Sequence, residues 1–340
     1  MWLNVSAGAE SPRLSGFIDL TYNRNLSAGE SATTNLYHSF DAQTNTFLLN
    51  AAHLNASGAS GDDLSYTIEV DLGSDAAVTN AGGLGTGDEI DLQEAYLVWR
   101  RPSSALGIKA GKFASYHGIE VIESGGNPTI TRGFLFNLAE AYTHAGIMAT
   151  WQFSPAVDLH AGLINGWDLF ADNNQRPTGV LKLGYSGGDR LALTLSGYLG
   201  SEKPGETGDA RLSLDATGLT KSVPGLDLWF QANYGREPAA APDGRDAAWI
   251  GFGLQPLYHF SNAFSLGARY EYFDDADGAR TGRSQLLQTF SVAPAFSLTQ
   301  NLVARIEARL DLSEEKVFSD SDGKPTGHQL QAATELICSF

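Results

Sequence analysis

Arg305, Glu307, Arg309 and Asp311 stand at alternate positions, with Ala304, Ile306, Ala308 and Leu310 in the slots between them. Side chains two apart along a strand share a face. The spacing therefore sets two cations and two anions in one row and aliphatic groups in the other. Such a row cannot be a dry core, and it can meet water and sort ions by charge. Covalent chemistry has weaker candidates. A hydrolytic nucleophile needs a base and an orienting group in reach, but His53, His117, His144 and His160 are scattered and no Ser accompanies them at a recognisable spacing. They are expected to be inward-facing polar or loop residues, so no enzyme is expected. The acidic stretches 274–278 (DDADG) and 320–323 (DSDG) are fragments of calcium loops without the distal Glu ligand. Solvated loops are the plainer reading, and weak divalent-cation binding is the other. The single Cys338 excludes an internal disulfide and every haem-attachment motif. No metal or cofactor is expected in the chain itself.

The elements that position these residues are strands. Alternation of the same kind recurs in about sixteen runs, at 15–23, 46–55, 64–72, 90–100, 105–113, 143–153, 157–166, 178–186, 190–199, 210–220, 226–235, 247–260, 264–273, 286–298, 301–312 and 329–340. The connections alternate between short turns and longer stretches rich in Gly, Asp, Asn and Pro, such as 24–45, 73–89, 114–142 and 313–328. Aromatics gather near the short turns: Trp151, Phe153, Tyr185, Tyr258, Phe260, Phe264, Phe296 and the terminal Phe340. An even strand number, two kinds of rim and an aromatic girdle predict an all-β fold. It is a transmembrane up-and-down antiparallel barrel of about 16 strands, with short periplasmic turns and long extracellular loops. A soluble sandwich or solenoid would alternate as well, but it requires neither the loop-length pattern nor the girdle. Phe340 closes the last run on the face of Leu336 and Cys338 and resembles the insertion signal of bacterial outer-membrane barrels. Pro294 removes a ladder donor inside a run, which predicts a bulge or a shifted register there.

Composition supports one domain. The 340 residues hold 38 Gly, one Cys and two Met and have no Pro-rich linker or charge block. We expect a periplasmic segment at 1–14 and one barrel at 15–340. A net charge of −17 argues against nucleic acid. No apolar run is long enough for a transmembrane helix. The amino-terminal stretch has no signal-peptide pattern, so an exported protein would begin here as a processed chain.

The stretch 111–146 carries Gly111, Lys112 and Phe113, then Gly118 and Glu120, Asn127 and Pro128, Arg132, Phe134 and Phe136, and finally Thr143, His144 and Gly146. With the run Leu92 to Leu97, it resembles the OmpL-like putative β-barrel porin family of Gram-negative bacteria. The resemblance covers roughly a third of the chain. It implies a water-filled channel in the outer membrane that passes small hydrophilic solutes and ions, among outer-membrane lipids and lipopolysaccharide, with a homotrimer by analogy. Segment 114–142 sits at the third long connection, where general porins fold a loop inward, and its length without periodicity is unusual unless functional. Glu120, Glu123, Arg132, Glu140 and His117 become constriction candidates that would set a transverse field. The alternative is a loop packed outside the pore or against a neighbouring subunit. The inner face is expected to carry Asp227, Arg269, Glu271, Arg305, Glu307, Arg309 and Asp311. With Asp19, Glu69, Asp71, Asp158, Asp215, Glu335, Lys109, Lys182 and Arg211, the count is ten acids against six bases. That excess predicts mild cation preference, although Arg269, Arg305 and Arg309 could guide anions locally. A competing reading is a structural sheath around a multihaem cytochrome partner, for which a barrel of this size is narrow.

Overall fold

The computed structural model describes residues 11–29, 33–81 and 89–340. Its strands are β1 (Arg13–Asn25), β2 (Thr46–Ser60), β3 (Leu64–Leu72), β4 (Ile90–Arg100), β5 (Leu106–Ala114), β6 (Thr143–Ser154), β7 (Val157–Ile164), β8 (Thr178–Ser186) and β9 (Leu191–Ser201). They continue as β10 (Ala210–Val223), β11 (Leu226–Glu237), β12 (Ala247–Ser261), β13 (Phe264–Asp275), β14 (Gln285–Ser297) and β15 (Leu302–Ser313). A two-stranded ribbon, β16 (Phe318–Ser319) and β17 (Pro325–Thr326), precedes the last strand, β18 (His328–Ser339). Strands β1 to β15 and β18 pair antiparallel with their sequence neighbours, and β18 closes the ring onto β1. Every expected run is a strand. The first begins at Arg13, so Arg13 and Leu14 belong to the barrel rather than to the expected leading segment, of which residues 1–10 lie outside the described residues.

Closure leaves no unpaired sheet edge, which is what a lipid-facing sheet requires. The seam is tied at its end by Phe340, whose amide donates to Gly16 O at 2.9 Å and whose carbonyl accepts from Gly16 N at 3.0 Å. Outward positions such as Leu20, Leu54, Ile68, Leu97, Ile147, Leu181, Leu195, Phe252 and Ile306 are exposed. An apolar band of that extent is unusual on a surface facing water and matches the lipid-facing band of a transmembrane barrel. At the short-turn rim, the rings of Tyr258, Phe260, Phe264 and Phe296 contact one another in sequence, with centroids 4.7, 5.3 and 5.1 Å apart.

Pro294 corrects one expectation. The β13 register runs unbroken past it, from Phe264 opposite Phe296 to Asp275 opposite Gln285. On the other side, Val292 pairs Ala308 and Ala295 pairs Arg305, the same register with two pairs missing between. The proline omits local ladder bonds without a bulge. Pro256 of β12, which the alternation also swallowed, leaves the same gap toward β13, between Leu254–Tyr270 and Leu257–Gly267.

Inward positions are mostly polar, but two apolar clusters interrupt them, one of Phe113, Met148, Ile164, Val180 and Tyr198 on β5 to β9 and one under the inward loop. Trp249, Phe273 and Leu287 point inward and are fully buried, because a π-helical turn at Leu135–Ala139 lies on them together with Phe134 and Leu138. Each fully buried side chain of this kind contributes on the order of 1.5–3 kcal/mol. The connection between β5 and β6 is thus held against the inner wall by an apolar patch.

Candidate pore constriction

Residues 115–142 begin and end at one point, where Ser115 N donates to Tyr142 O at 3.0 Å. Asp168, from the next long loop, accepts the amides of Tyr142 and Thr143 at 2.6 and 3.0 Å. From this neck the chain crosses to the wall of β9 and β10. There His117 sits between two hydroxyls, Ser196 Oγ at 2.8 Å from Nδ1 and Ser213 Oγ at 2.9 Å from Nε2. The structure therefore pairs a His with Ser residues that no sequence spacing revealed. Ser196 Oγ also bonds Tyr116 O at 3.1 Å. With its proton spent there it accepts from Nδ1–H, and Ser213 donates to Nε2. Ser213 is fully buried, and among the described residues both imidazole nitrogens bond hydroxyls of the wall, which ties the loop to β9 and β10. Burial, with His144 nearby, holds the His117 pKa well below the usual histidine range.

Beyond Gly118, whose amide donates to Asp215 at 3.1 Å, the segment lies along the inner faces of β12 to β15 and β18. Arg305 donates to the carbonyls of Ser124 at 2.9 Å and Asn127 at 2.7 Å and pairs with Glu335. Glu307 accepts the amides of Ile130 and Thr131 at 2.7 and 2.8 Å and the Thr131 hydroxyl at 2.8 Å. Arg269 reaches Thr129 Oγ1 at 2.8 Å, Thr131 and Glu120. Arg309 donates to Arg132 O at 2.7 Å and pairs with Asp311 at 2.8 Å, and Glu271 accepts the amide of Leu135 at 3.2 Å. Close approach here depends on missing side chains. Pro128 O lies where a Cβ of Gly267 would project, and Leu135 covers Gly251.

The charged row that sequence reasoning placed against water therefore lies on the inner face but is covered. Arg269, Arg305 and Arg309 are 2%, 5% and 1% exposed. Their charges are compensated by carboxylates and by loop carbonyls, which is how charge is buried without prohibitive cost. A tally of inward acids and bases consequently cannot give the field in the passage. Three expected constriction residues are spent in the same way. Glu120 accepts from Arg269, from Gln255 at 2.9 Å and from Gly133 N at 2.6 Å. Arg132 donates to Asp75 at 3.2 Å and to Ile122 O, with its guanidinium 4.6 Å from the Phe40 ring centroid. Glu140, buried beside Asp215, has its pKa raised well above the carboxylate range and accepts from Gln231.

The first long loop, not singled out by sequence reasoning, also turns inward. His38 bridges Asp41 at 2.6 Å and Asp311 at 2.8 Å, and Phe40 packs on Phe136 and Tyr142. The only available signal was the His-x-x-Asp spacing inside an aperiodic segment. The calcium-like stretches use their carboxylates locally. Asp275 accepts from Arg280 N and Thr281 N, and Asp320 from Asp322 N and Lys324 N.

Among the described residues, two cavities lie beside the inward loop. One, about 780 Å³, opens at the short-turn rim between residues such as Phe17, His259, Phe264 and Ser297. The other, about 380 Å³, lies between the loop and the wall of β2 to β4, lined by His53, Glu69, Gln93 and Glu94 among others. Glu123 lines both. It is half-buried, and burial raises its pKa. Asp227 sits apart, near the short turns, bonded to Lys221 at 2.7 Å.

A closed sixteen-stranded antiparallel barrel with an apolar exterior, a polar interior and long loops laid against the inner wall is the architecture of the porin class. By sequence the chain belongs to the family described as putative beta-barrel porin-2, OmpL-like, whose model matches residues 12–340. Comparison with curated proteins returned no match. Among solved structures, the outer membrane channel DcaP of Acinetobacter baumannii has a TM-score of 0.67 at 13% identity, over 98% of both chains. An anion-selective porin from Comamonas acidovorans has a TM-score of 0.67 at 10% identity, over 97% of this chain and 99% of that one. Outer-membrane expressed OmpT of Vibrio cholerae gives 0.63 at 12%, over 98% and 99%. These likenesses show the fold alone.

Proposed function

We propose that the protein is an outer-membrane diffusion channel for small hydrophilic solutes and ions, whose passage joins the cavity at the short-turn rim to the cavity beside β2 to β4, with its neck at Glu123. The observation that carries this reading is that Glu123 lines both interior cavities, whereas Glu120, Arg132 and Glu140 are buried and paired. Above the rim cavity, the wall of β12 to β15 is covered by the loop. Around the neck stand Glu69 and Glu94, which face each other across β3 and β4, with Lys109 nearby on β5. Three carboxylates against one ammonium at a narrow point favour cations. The exposed apolar band fits outer-membrane lipids and lipopolysaccharide. A homotrimer is consistent with the trimer form of Vibrio cholerae OmpT, a structural neighbour, and small outward residues such as Ala304 and Ala308 suit close packing. Two long loops inside the barrel speak against a cytochrome inserted through it.

Salt-gradient measurements in planar bilayers test the reading. Wild-type protein should give ohmic steps with a reversal potential favouring cations, and Glu123→Gln should move that potential toward zero. Folded protein that never conducts, or a reversal potential indifferent to Glu123→Gln, would overturn it.

A further inference from the structure

The smaller cavity holds a set of metal-ligating atoms that the channel reading does not need. One nitrogen of His53 and one carboxylate oxygen each of Glu69 and Glu123 all lie within 4.8 Å of one another. They come from three elements, β2, β3 and the inward loop. His53 is already oriented. Its Nδ1 is held by Asp71 Oδ1 at 2.7 Å and its ring stacks on Phe17 with centroids 4.8 Å apart. A carboxylate on one imidazole nitrogen orients the ring and leaves Nε2 able to take a metal in place of a proton, the usual support of a metal-bound histidine. Glu69 is likewise oriented, by Asn55 Nδ2.

A second observation points to a ligand at the same place. Gln93, 1% exposed, lines this cavity, and neither its side-chain oxygen nor its nitrogen has a partner among the described residues. Buried amides are seldom left unpaired without a ligand or water to meet them. No lysine or arginine is among the residues lining this cavity.

We propose that His53, Glu69 and Glu123 bind one divalent transition-metal cation, with Zn2+ as the type case, and that the bound ion clamps the inward loop to the β2–β3 wall. One imidazole with two carboxylates is a donor set that such ions accept. Ligand atoms around tetrahedral Zn2+ stand about 3.4 Å apart, from bond lengths of about 2.1 Å. Coordination therefore draws the group together. Glu123 is the member on a loop and supplies the movement, which narrows the neck described above. The site itself does not depend on the channel reading; only that consequence does.

Isothermal titration calorimetry of purified, detergent-folded protein with Zn2+ decides the matter. One saturable site per chain is expected, weakened on the order of a hundredfold in His53→Gln, Glu69→Gln and Glu123→Gln and unchanged in Asp243→Asn, an exposed loop control. With Co2+ as probe, visible d–d absorption should appear in wild type and vanish in His53→Gln. Heat-modifiable gel mobility establishes that each variant is folded. In bilayers, Zn2+ should lower wild-type conductance and leave the His53→Gln channel unaffected. Absence of saturable binding below the millimolar range, or equal binding by folded His53→Gln, overturns the site. Calorimetric binding without any conductance would retain the site and remove the channel reading instead.

Discussion

Replacing Glu307 by Ala should release the middle of the inward loop from the wall while leaving the barrel closed. Glu307 accepts three bonds from the loop, from Ile130 N, Thr131 N and Thr131 Oγ1 at 2.7, 2.8 and 2.8 Å, and faces Arg269 at 3.5 Å. A hydrogen bond to a charged group contributes about 1.5–3 kcal/mol, so simple addition gives an upper bound, since water enters the vacated space. Removing one member of a buried ion pair costs about 3–5 kcal/mol. Taking about 4 kcal/mol, at about 1.4 kcal/mol per tenfold change, opening of segment 124–132 should become about a thousandfold more frequent. Hydrogen–deuterium exchange with mass spectrometry in detergent micelles reads this directly. Peptides containing Ile130 and Thr131 should lose about three decades of protection, while β13, β14 and β15 keep theirs. Glu307→Gln, which retains one carbonyl acceptor, should fall between. Unchanged loop protection in Glu307→Ala would refute the docking argument, and loss of protection in β15 as well would mean that the residue holds the barrel rather than the loop.

Further outcomes are expected. Glu140, whose pKa is raised well above the carboxylate range by burial and by Asp215, is buried and bonded to Gln231; Glu140→Gln should leave the reversal potential unchanged, and a shift toward anions would show that it contributes to the field. His38 has a pKa above its ordinary 6.5: burial and Arg309 pull it down, but Asp41 and Asp311 outweigh them. A raised folded pKa means that the stabilisation is complete below the unfolded value and fades as pH rises through the folded one. Exchange of residues 33–44, corrected for intrinsic rates, should therefore quicken at alkaline pH in wild type and not in His38→Asn; protection that grows with pH contradicts the assignment. Phe340→Ala should reduce the heat-modifiable, membrane-inserted fraction severalfold without altering the conductance of the channels that do assemble; undiminished insertion would remove its role as a signal.

The barrel was legible because each strand must satisfy two solvents at once. Leu302 to Asp311 declare their two faces by alternation alone, and the short turns fix the direction of the chain. What lay against the inner face was not legible. Alternation marks Arg305 and Glu307 as inward, yet the same residues serve equally a wall wetted by solvent or a wall gripping Ser124 and Thr131. Local pattern carries no information about a contact 177 residues away, such as Glu307 with Ile130. The inward apolar residues Trp249, Phe273 and Leu287 held a usable signal, since a water-filled interior has no reason to bury them. Among the candidates, Glu123 differs from Glu120 only in where the loop sets it down. The pairing of Glu69 with Glu94 required the register of β3 on β4.

Substituted-cysteine accessibility tests directly whether the proposed passage runs past Glu123, with Glu123→Cys in a Cys338→Ser background and a cationic methanethiosulfonate reagent added during single-channel recording. Stepwise, reductant-reversible loss of conductance is the predicted result. Complete labelling, established by mass spectrometry, with conductance unchanged would place the passage elsewhere.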